Sequence, residues 1–599
     1  NAQGDDMPFQ YDQYVQAQDG YDLVLTIDET AQSIVEKHLQ AGLEACGALE
    51  GGTAVLMNVK TGAILALSTK GDYDPNDPFT ISQEAEDAIP EKVEDALKKA
   101  QEKEQQELNT LQLAIDNAET DEARAEAKKA LSEYERIDVT TLRDELTDQM
   151  WAEAQNKQWR NKAVSDTYYP GSVFKMVTGS MAMESGVASE DSTYTCTGQW
   201  VFDDPTIDPI SCWYHAGHGT ETLVDGICNS CNPYMIWLGQ KMGRHTFFNF
   251  FEAFGFTQRT GIDLPGEASG VFHTRERLAN TASYGTSYLI ATSFGQTIKP
   301  TPIQLVTAIS AVVNGGYLLE PYVVSEIVDS EGNVVQQNAR TVVRQVISEE
   351  TSATMRQIIE SVVTEGTAKN GSVVGYRIGG KTGTAEKTDQ TDSNGQQTND
   401  KIVSFVGIAP MDDPEYVVLI ALDTPNPATG TYISGGVMAA PTVARVMEDI
   451  LPYLGVEPDY SEVDMSRVTV RMPNLAGKTE SEAAAILEED HLNYKIIGDG
   501  DKIVSQIPAH GRELPGNSTV LLYTDDSMPT DEVEVPNLTG MTVAQASTTL
   551  SQLGLYLQAK GTDSNAWYVV VTKQDIDAGT KVPRGTMIAV TFTDTTALD

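Results

Sequence analysis

Three short polar motifs, Ser172-Val173-Phe174-Lys175, Ser230-Cys231-Asn232 and Lys381-Thr382-Gly383-Thr384, follow one another at domain-scale spacing along 599 residues. A serine and a lysine three residues apart share one face of a helix. Pro170-Gly171 suits the mouth of that helix, and Met176-Val177 continue it as an apolar, buried segment. Ser172 then sits near the positive end of the helix dipole, where backbone N–H groups can meet a developing oxyanion. A serine hydroxyl is a poor nucleophile until a neighbour takes its proton. Lys175 is placed to do so once desolvation lowers its pKa. Taken singly, the motifs read as an ordinary helix start with a solvated lysine, a loop and a turn. All three in this order make a structural coincidence improbable.

The length is enough for three or four domains, and 40% apolar residues suffice for a sizeable core. A formal charge of −46 argues against nucleic acid and against electrostatic docking on anionic lipid. Most of it reads as a solubilising surface. No apolar run reaches bilayer length; the best, residues 416–422, is strand-sized. The first residues, Asn1-Ala2-Gln3-Gly4-Asp5-Asp6, are neither a signal peptide nor an anchor.

Residues 23–28 read as a strand leading into a helix over 31–43. Residues 54–59 and 63–67 read as two strands joined at Lys60-Thr61-Gly62, a hairpin. From 84 to 153 the chain turns to Ala, Glu, Lys and Gln, with apolar residues at Val93, Leu97, Ala100, Leu108, Leu111 and Ile115 on a helical beat. The beat breaks at 116–120 and resumes at Ala123, Ala127, Leu131 and Tyr134. This is expected to be a charged two-helix hairpin, a solvated decoration rather than a docking arm. Strands over 402–408 and 416–422 and helices over 302–313 and 351–363 suggest a mixed, mainly antiparallel sheet flanked by helices.

The tail repeats itself. Val470-Arg471-Met472-Pro473-Asn474-Leu475 lines up with Val533-Glu534-Val535-Pro536-Asn537-Leu538, and residues 506–511 with 574–579. Each copy holds one helix and several strands, small for a core and expected to support its neighbour.

With these motifs the chain resembles a class B penicillin-binding protein, a peptidoglycan D,D-transpeptidase, carrying two C-terminal PASTA repeats. The likeness extends to Asp74-Pro75-Asn76, to Thr260-Gly261-Ile262-Asp263-Leu264-Pro265-Gly266-Glu267, to Phe294-Gly295-Gln296 and to Gly407-Ile408-Ala409-Pro410. It implies an α/β (α+β) fold of the penicillin-binding and serine β-lactamase type, followed by two small α+β repeats. The domains would be the end of an N-terminal pedestal (1–22), a transpeptidase domain (23–454) with an inserted hairpin (about 84–153), a linker (455–466) and repeats over 467–528 and 529–599. Such enzymes normally begin with a transmembrane helix and work on the extracytoplasmic face of the bacterial cell membrane. With no room for a glycosyltransferase domain, glycan polymerisation would fall to a membrane partner. The repeats would pack or position rather than bind a ligand.

The resemblance also implies roles. Ser172 would attack the carbonyl between the two terminal D-alanines of a stem peptide and form an acyl-enzyme, with Lys175 as base. Ser230 would relay a proton to the leaving amine, and Asn232 would hold Lys175 and the substrate amide. Lys381, Thr382, Gly383 and Thr384 would bind the terminal carboxylate, since a cation and hydroxyls are what an anion needs. The amine of a neighbouring stem peptide would then complete the cross-link, and β-lactam antibiotics would mimic the donor and stay attached. Acyl transfer needs no cofactor.

Cys196, Cys212, His218 and Cys231 form a C-x15-C-x5-H-x12-C series that runs into the second motif. Three thiolates and an imidazole make a closed tetrahedral zinc site, and some elongation-type class B relatives look similar here. The alternative is a disulfide, Cys212–Cys231 or Cys196–Cys212, as an extracytoplasmic chain favours. Cys228 is then a spare and Cys46 a core residue.

Two rival functions share these features. A serine β-lactamase or β-lactam sensor carries the same triads, but a lactamase needs a further base to activate water. Glu386 stands on the carboxylate-binding strand, the wrong place for one. A non-catalytic wall-binding scaffold would require decayed triads, and these are intact.

Overall fold

The computed structural model describes residues 20–202, 208–279, 283–391, 396–459, 468–528, 532–561 and 569–594. Two compact units emerge, one built from residues up to 371 with 379–446, the other from 372–378 with 447 onward. Most of the expected pedestal end and much of the linker lie outside the described residues.

In the first unit a short strand, Asp22–Leu25, precedes helix α1, Glu29–Cys46. The Asp28 carboxylate caps α1 by accepting from Ala31 N–H. Strands β1, Gly52–Asn58, and β2, Ile64–Lys70, form the expected hairpin. Its turn is closed by Asn58 Oδ1, which accepts from Lys60 N at 2.9 Å and Thr61 N at 3.0 Å.

The insertion that follows is three helices, not two: α2, Gln83–Asp116; α3, Asp121–Glu133; and α4, Val139–Trp159. The break at 116–120 falls where the sequence places it. A second break arises because Tyr134 leaves helical geometry and Asp138 caps a fresh helix through Thr140 N–H. Ile89, Val93 and Leu97 of α2 pack with Leu142, Leu146 and Met150 of α4 in a small core of their own. The insertion is tied at its root by Gln158 and Trp159, whose side chains donate to the Pro78 carbonyl. None of the three motifs contributes to that core. Replacing residues 84–153 with a short Gly/Ser linker is therefore expected to leave penicillin acylation within about twofold. Loss of acylation in soluble, folded protein would assign the insertion a part in shaping the site.

The remaining helices frame the sheet: α5, Lys175–Glu184; α6, Asn232–Ala253; α7, Pro302–Val313; and α8, Glu349–Thr364. Strands β3, Gly379–Glu386, β4, Lys401–Ala409, and β5, Tyr416–Asp423, complete it, and helix α9, Gly435–Tyr453, follows. The strand order is β3-β4-β5-β1-β2, and all four pairings are antiparallel. The expected mixed, mainly antiparallel sheet is thus antiparallel throughout; among the described residues parallel pairing of strands occurs in the tail repeats, and a single parallel bridge joins Ala63 to Tyr322. Strand β5 sits in the middle and is buried along nearly its whole length, which its unbroken apolar run requires. Side chains alternate across β1, so Gly52 faces Leu39 and Leu43 of α1 while Met57 faces Ser310 of α7. Helices therefore cover both faces. Strand β3 is left at an edge of the sheet.

In the second unit each repeat has one helix, Glu480–Glu489 or Val543–Gln552, started by a capping box at Thr479 and Thr542. The helix packs on a three-stranded sheet with one parallel and one antiparallel pairing. The matched glutamines explain the repeat. Gln506 accepts from Leu475 N–H and donates to the Pro473 carbonyl; Gln574 does the same for Leu538 and Pro536. Tyr556 of the second repeat packs on the first repeat's core and donates to the Thr519 carbonyl at 2.8 Å, so the copies do support each other.

Candidate active site

Ser172 does not lie in the α-helix itself. Residues Gly171–Phe174 form a 3-10 turn, and α5 begins at Lys175. In a 3-10 turn positions i and i+3 eclipse, so Ser172 and Lys175 still share a side. The turn is wedged from two directions. Gly171 N–H donates to the Gly295 carbonyl at 3.1 Å, and a Cβ on Gly295, whose φ is +85°, would come within 2.0 Å of the Gly171 oxygen. On the other side a Cβ at Gly383 would meet the Pro170 oxygen at 2.8 Å. Only glycine lets the third motif's strand and the nucleophile turn approach this closely. The Phe294-Gly295-Gln296 and Lys381-Thr382-Gly383-Thr384 motifs thus grip the same turn.

Lys175 is wholly buried. Its Nζ donates to Asn232 Oδ1 at 2.6 Å, the Ser230 carbonyl at 2.7 Å and Ser230 Oγ at 3.2 Å. Burial pulls its pKa down to about 8, even though nearby cysteine sulfurs and Glu221 act to raise it. Lys381, also wholly buried, is held well below the ordinary lysine range by burial first and then by the charge of Lys175. Its Nζ reaches Thr382 Oγ1 at 3.3 Å. Thr384 Oγ1 accepts from Gly435 N–H at 2.9 Å, a partner the sequence did not announce. All three motifs therefore meet at one place. Glu386 is exposed at the end of β3, away from the buried lysines.

The Ser230 backbone is unusual. The short helix Leu223–Cys228 ends with Ser230 at φ 54°, in the left-handed region. Cys231 N–H donates to the Gly226 carbonyl at 2.9 Å and Ser230 N–H to the Ile227 carbonyl at 3.1 Å. This is a Schellman stop with a serine where glycine is usual. Asn232 then opens α6, with Pro233 behind it.

Beside this turn Cys196, Cys212, His218 and Cys231 converge, each offering a ligand atom within 4.8 Å of the others. A two-stranded ribbon, Tyr194–Cys196 against Gly219–Glu221, brings the distant cysteine in. The five cysteines are free here, and the sulfurs of Cys196, Cys212 and Cys231 gather around His218. The hydrogen bond between Cys231 and Cys212 pushes the Cys212 thiol down and the Cys231 thiol up. Burial alone would lower His218, but its bonds to Cys212 and Cys196 lift it to about 9. Three convergent thiols, a buried imidazole nitrogen without a partner at His218 Nε2 and an unpartnered Glu221 Oε2 fit a thiophilic cation. Cys228 and Cys46 stand outside the cluster, both buried.

Residues 52–448 match the family of the penicillin binding protein transpeptidase domain, and residues 470–526 and 533–594 each match the PASTA domain. Among relatives, the Stage V sporulation protein D of Bacillus subtilis is 35% identical over 532 residues, covering 87% of this chain and 68% of that protein. The penicillin-binding protein PbpB of Mycolicibacterium smegmatis is 27% identical, with 74% and 56% covered. The chain thus spans about two thirds of the first relative and little over half of the second. Penicillin binding protein 3 of Mycobacterium tuberculosis, solved with aztreonam, shares the fold at a TM-score of 0.55 and 23% identity, covering 74% of this chain and 82% of that one. Penicillin binding protein 2X of Streptococcus thermophilus shares it at 0.52 and 22%, covering 97% and 73%. The chain belongs to the penicillin-binding protein transpeptidase family and carries two PASTA domains at its C-terminal end.

Proposed function

We propose that this protein is a peptidoglycan D,D-transpeptidase that cross-links stem peptides through an acyl-enzyme on Ser172, and that β-lactams acylate the same hydroxyl. The observation that carries the reading is Lys175, buried beside Ser172 and bonded to both polar members of the second motif. As a neutral amine Lys175 takes the Ser172 proton while Oγ attacks the carbonyl between the terminal D-alanines. The N–H groups of Ser172 and of Thr384 on the sheet edge stabilise the oxyanion. The proton passes through Ser230 Oγ, 3.2 Å from Lys175 Nζ, to the departing D-alanine amine. Asn232 keeps Lys175 in place and offers its amide to the substrate. Lys381, with Thr382 and Thr384, binds the terminal carboxylate, and an arriving carboxylate supplies the countercharge that buried Lys381 lacks. The amine of a second stem peptide then takes the acyl group, and Ser172 recovers its proton.

No carboxylate bonds to Lys175, Ser230 or Asn232 among the described residues, so no second base stands beside Lys175 there. This favours the transpeptidase over the β-lactamase. A chromogenic cephalosporin is expected to give one stable acyl group per chain, with Lys381→Ala slowing acylation more than tenfold in folded protein. Continuous hydrolysis by the unaltered protein would favour the lactamase instead, and unchanged kinetics in the variant would remove Lys381 from the reaction. The placing of the enzyme at the extracytoplasmic membrane face through an N-terminal anchor, alongside a glycosyltransferase partner, belongs to the same reading. It is supported by relatives named for sporulation and as D,D-transpeptidases. No helix among the described residues is long and apolar enough to cross a membrane.

The cysteine cluster is read as a structural zinc site held by Cys196, Cys212, His218 and Cys231. Bound there, zinc would supply a fixed cross-link beside the second motif and no chemistry on the substrate. Protein purified without chelator is expected to carry one equivalent of metal and, while folded, to offer a thiol reagent no more than the two thiols outside the cluster, Cys46 and Cys228. Chelation should raise that number to five. Five reactive thiols at the outset, with no metal, would overturn the assignment.

A further inference from the structure

The third motif receives the donor's carboxylate, yet the acceptor amine still needs a place to lie. Chemistry limits where that place can be. The relay that carries a proton through Ser230 Oγ to the departing D-alanine amine runs backwards when a new amine attacks. The acceptor nitrogen therefore enters where the leaving nitrogen left, beside Ser230. One segment follows the second motif from end to end. The Ser211 carbonyl accepts from Asn232 Nδ2 at 3.4 Å, and two residues on the Trp213 indole N–H donates to the Asn229 carbonyl at 2.8 Å. Asn229 immediately precedes Ser230. Although tied down in this way, Trp213 is 52% exposed, and Tyr214 beside it is 47% exposed. Their rings stand 5.8 Å apart and both pack on the ring of His218, at 5.5 and 5.2 Å. Two aromatic rings anchored along one side and open to water on the other make a fixed surface next to the catalytic turn.

We propose that Trp213 and Tyr214 form the acceptor subsite, where the side chain of the incoming stem peptide lies against the two rings while its amine reaches the acyl carbonyl on Ser172. The proposal rests on the transpeptidase reading above. The acceptor it fits is the side-chain amine of a diamino acid, an ammonium in neutral water carried on an alkyl stem. Aromatic rings suit both parts, since they cover the stem and attract the cation. In the transfer the ammonium first gives one proton to solvent. Its nitrogen then bonds to the acyl carbon, and the bond from that carbon to Ser172 Oγ breaks. A second proton leaves the nitrogen and travels by Ser230 Oγ and Lys175 to Ser172 Oγ, which restores the free hydroxyl. The Trp213 hydrogen bond to Asn229 keeps the subsite in register with the hydroxyl that relays this proton.

The test makes one acyl-enzyme on the whole chain and follows where the acyl group goes. N-benzoyl-D-alanyl thioglycolate, a thioester with a terminal carboxylate, is the donor. The acceptors are the tripeptides L-alanyl-γ-D-glutamyl-diaminopimelate and L-alanyl-γ-D-glutamyl-lysine. Chromatography of the products gives the ratio of transfer to hydrolysis, which does not depend on how fast the acyl-enzyme forms. Unaltered protein is expected to transfer to at least one tripeptide. Trp213→Ala and Tyr214→Ala are each expected to lower the ratio by about two- to fivefold, the size of an exposed contact between a ring and a cation. Trp213→Phe loses the bond to Asn229 but keeps a ring, and should retain most of the ratio. Where Trp213→Ala does not fold, Tyr214→Ala decides. An unchanged ratio in the alanine variants would overturn the proposal, and slower acylation at that unchanged ratio would make Trp213 only a brace for the turn. A ratio in Trp213→Phe as low as in Trp213→Ala would also overturn it, by assigning the effect to the hydrogen bond. Unaltered protein that hydrolyses the thioester and transfers to neither tripeptide would instead remove the transpeptidase reading on which the proposal stands.

Discussion

Ser172→Ala is expected to take up no penicillin at all. Where the nucleophile of an acyl-transfer site is deleted, catalysis falls by about a million-fold, below what labelling can detect. Mass spectrometry of unaltered protein should add one acyl group and place it on the peptide containing Ser172. The variant should fold normally, because Ser172 is only partly buried and the turn is held through the backbone of Gly171 and by packing of Val173 and Phe174. An adduct that survives Ser172→Ala, or that maps to another residue, would remove the chemistry from this turn. That control also separates Ser172 from the cysteine cluster beside the second motif.

Removal of the base should cost nearly as much. Lys175→Ala is expected to slow acylation by about a hundred- to ten-thousandfold, the range for a positioned general base. The same residue fixes the pH profile of the unaltered protein. Only the uncharged amine can accept the Ser172 proton, and burial brings Lys175 down to a pKa of about 8. Below that value each unit of falling pH protonates the amine about tenfold further, so the acylation rate should fall in proportion. Above it the rate should level off. Stopped-flow acylation between about pH 6 and pH 9 measures this, and a flat profile across that span would rule out Lys175 as the group that titrates in the rate. With an ordinary lysine the same rise would come near pH 10, so the displacement measures what burial contributes.

Local patterns were legible in the sequence and long-range partnerships were not. The apolar run of β5 and the helix over Pro302–Val313, buried at every position, show in the residues because each is written by its own neighbours. So are the three motifs, since each is three or four residues long. The second break in the insertion is hidden because Tyr134 is a tolerable helix residue, and only its hydrogen bond to Glu107 of α2 betrays the turn. The 3-10 start at Ser172 is likewise set from outside, by Gly295 and Gly383, which lie far along the chain. Gly435, whose N–H fixes the Thr384 hydroxyl, carries no sequence signal beyond a Ser-Gly-Gly that reads as a loop. The four metal-type residues could be listed from spacing, but whether they pair or converge depends on a ribbon formed by three residues on each side. Glu221 is invisible at that level: one acidic residue among 87 is marked out only by being dry.

The serine at the end of the Leu223–Cys228 helix has a consequence for how this family member can be improved. A left-handed backbone at that spot favours glycine by about one kilocalorie per mole, so stability alone would replace Ser230. Yet the hydroxyl that glycine lacks is the one bonded to Lys175, and the tight stop is what aims it there. Selection for a sturdier protein and selection for a working one therefore pull in opposite directions at this residue. Any stabilising programme that scans loops for left-handed positions should leave it alone and look for its gains at Asn517 or His491, which share the conformation but lie in the tail repeats.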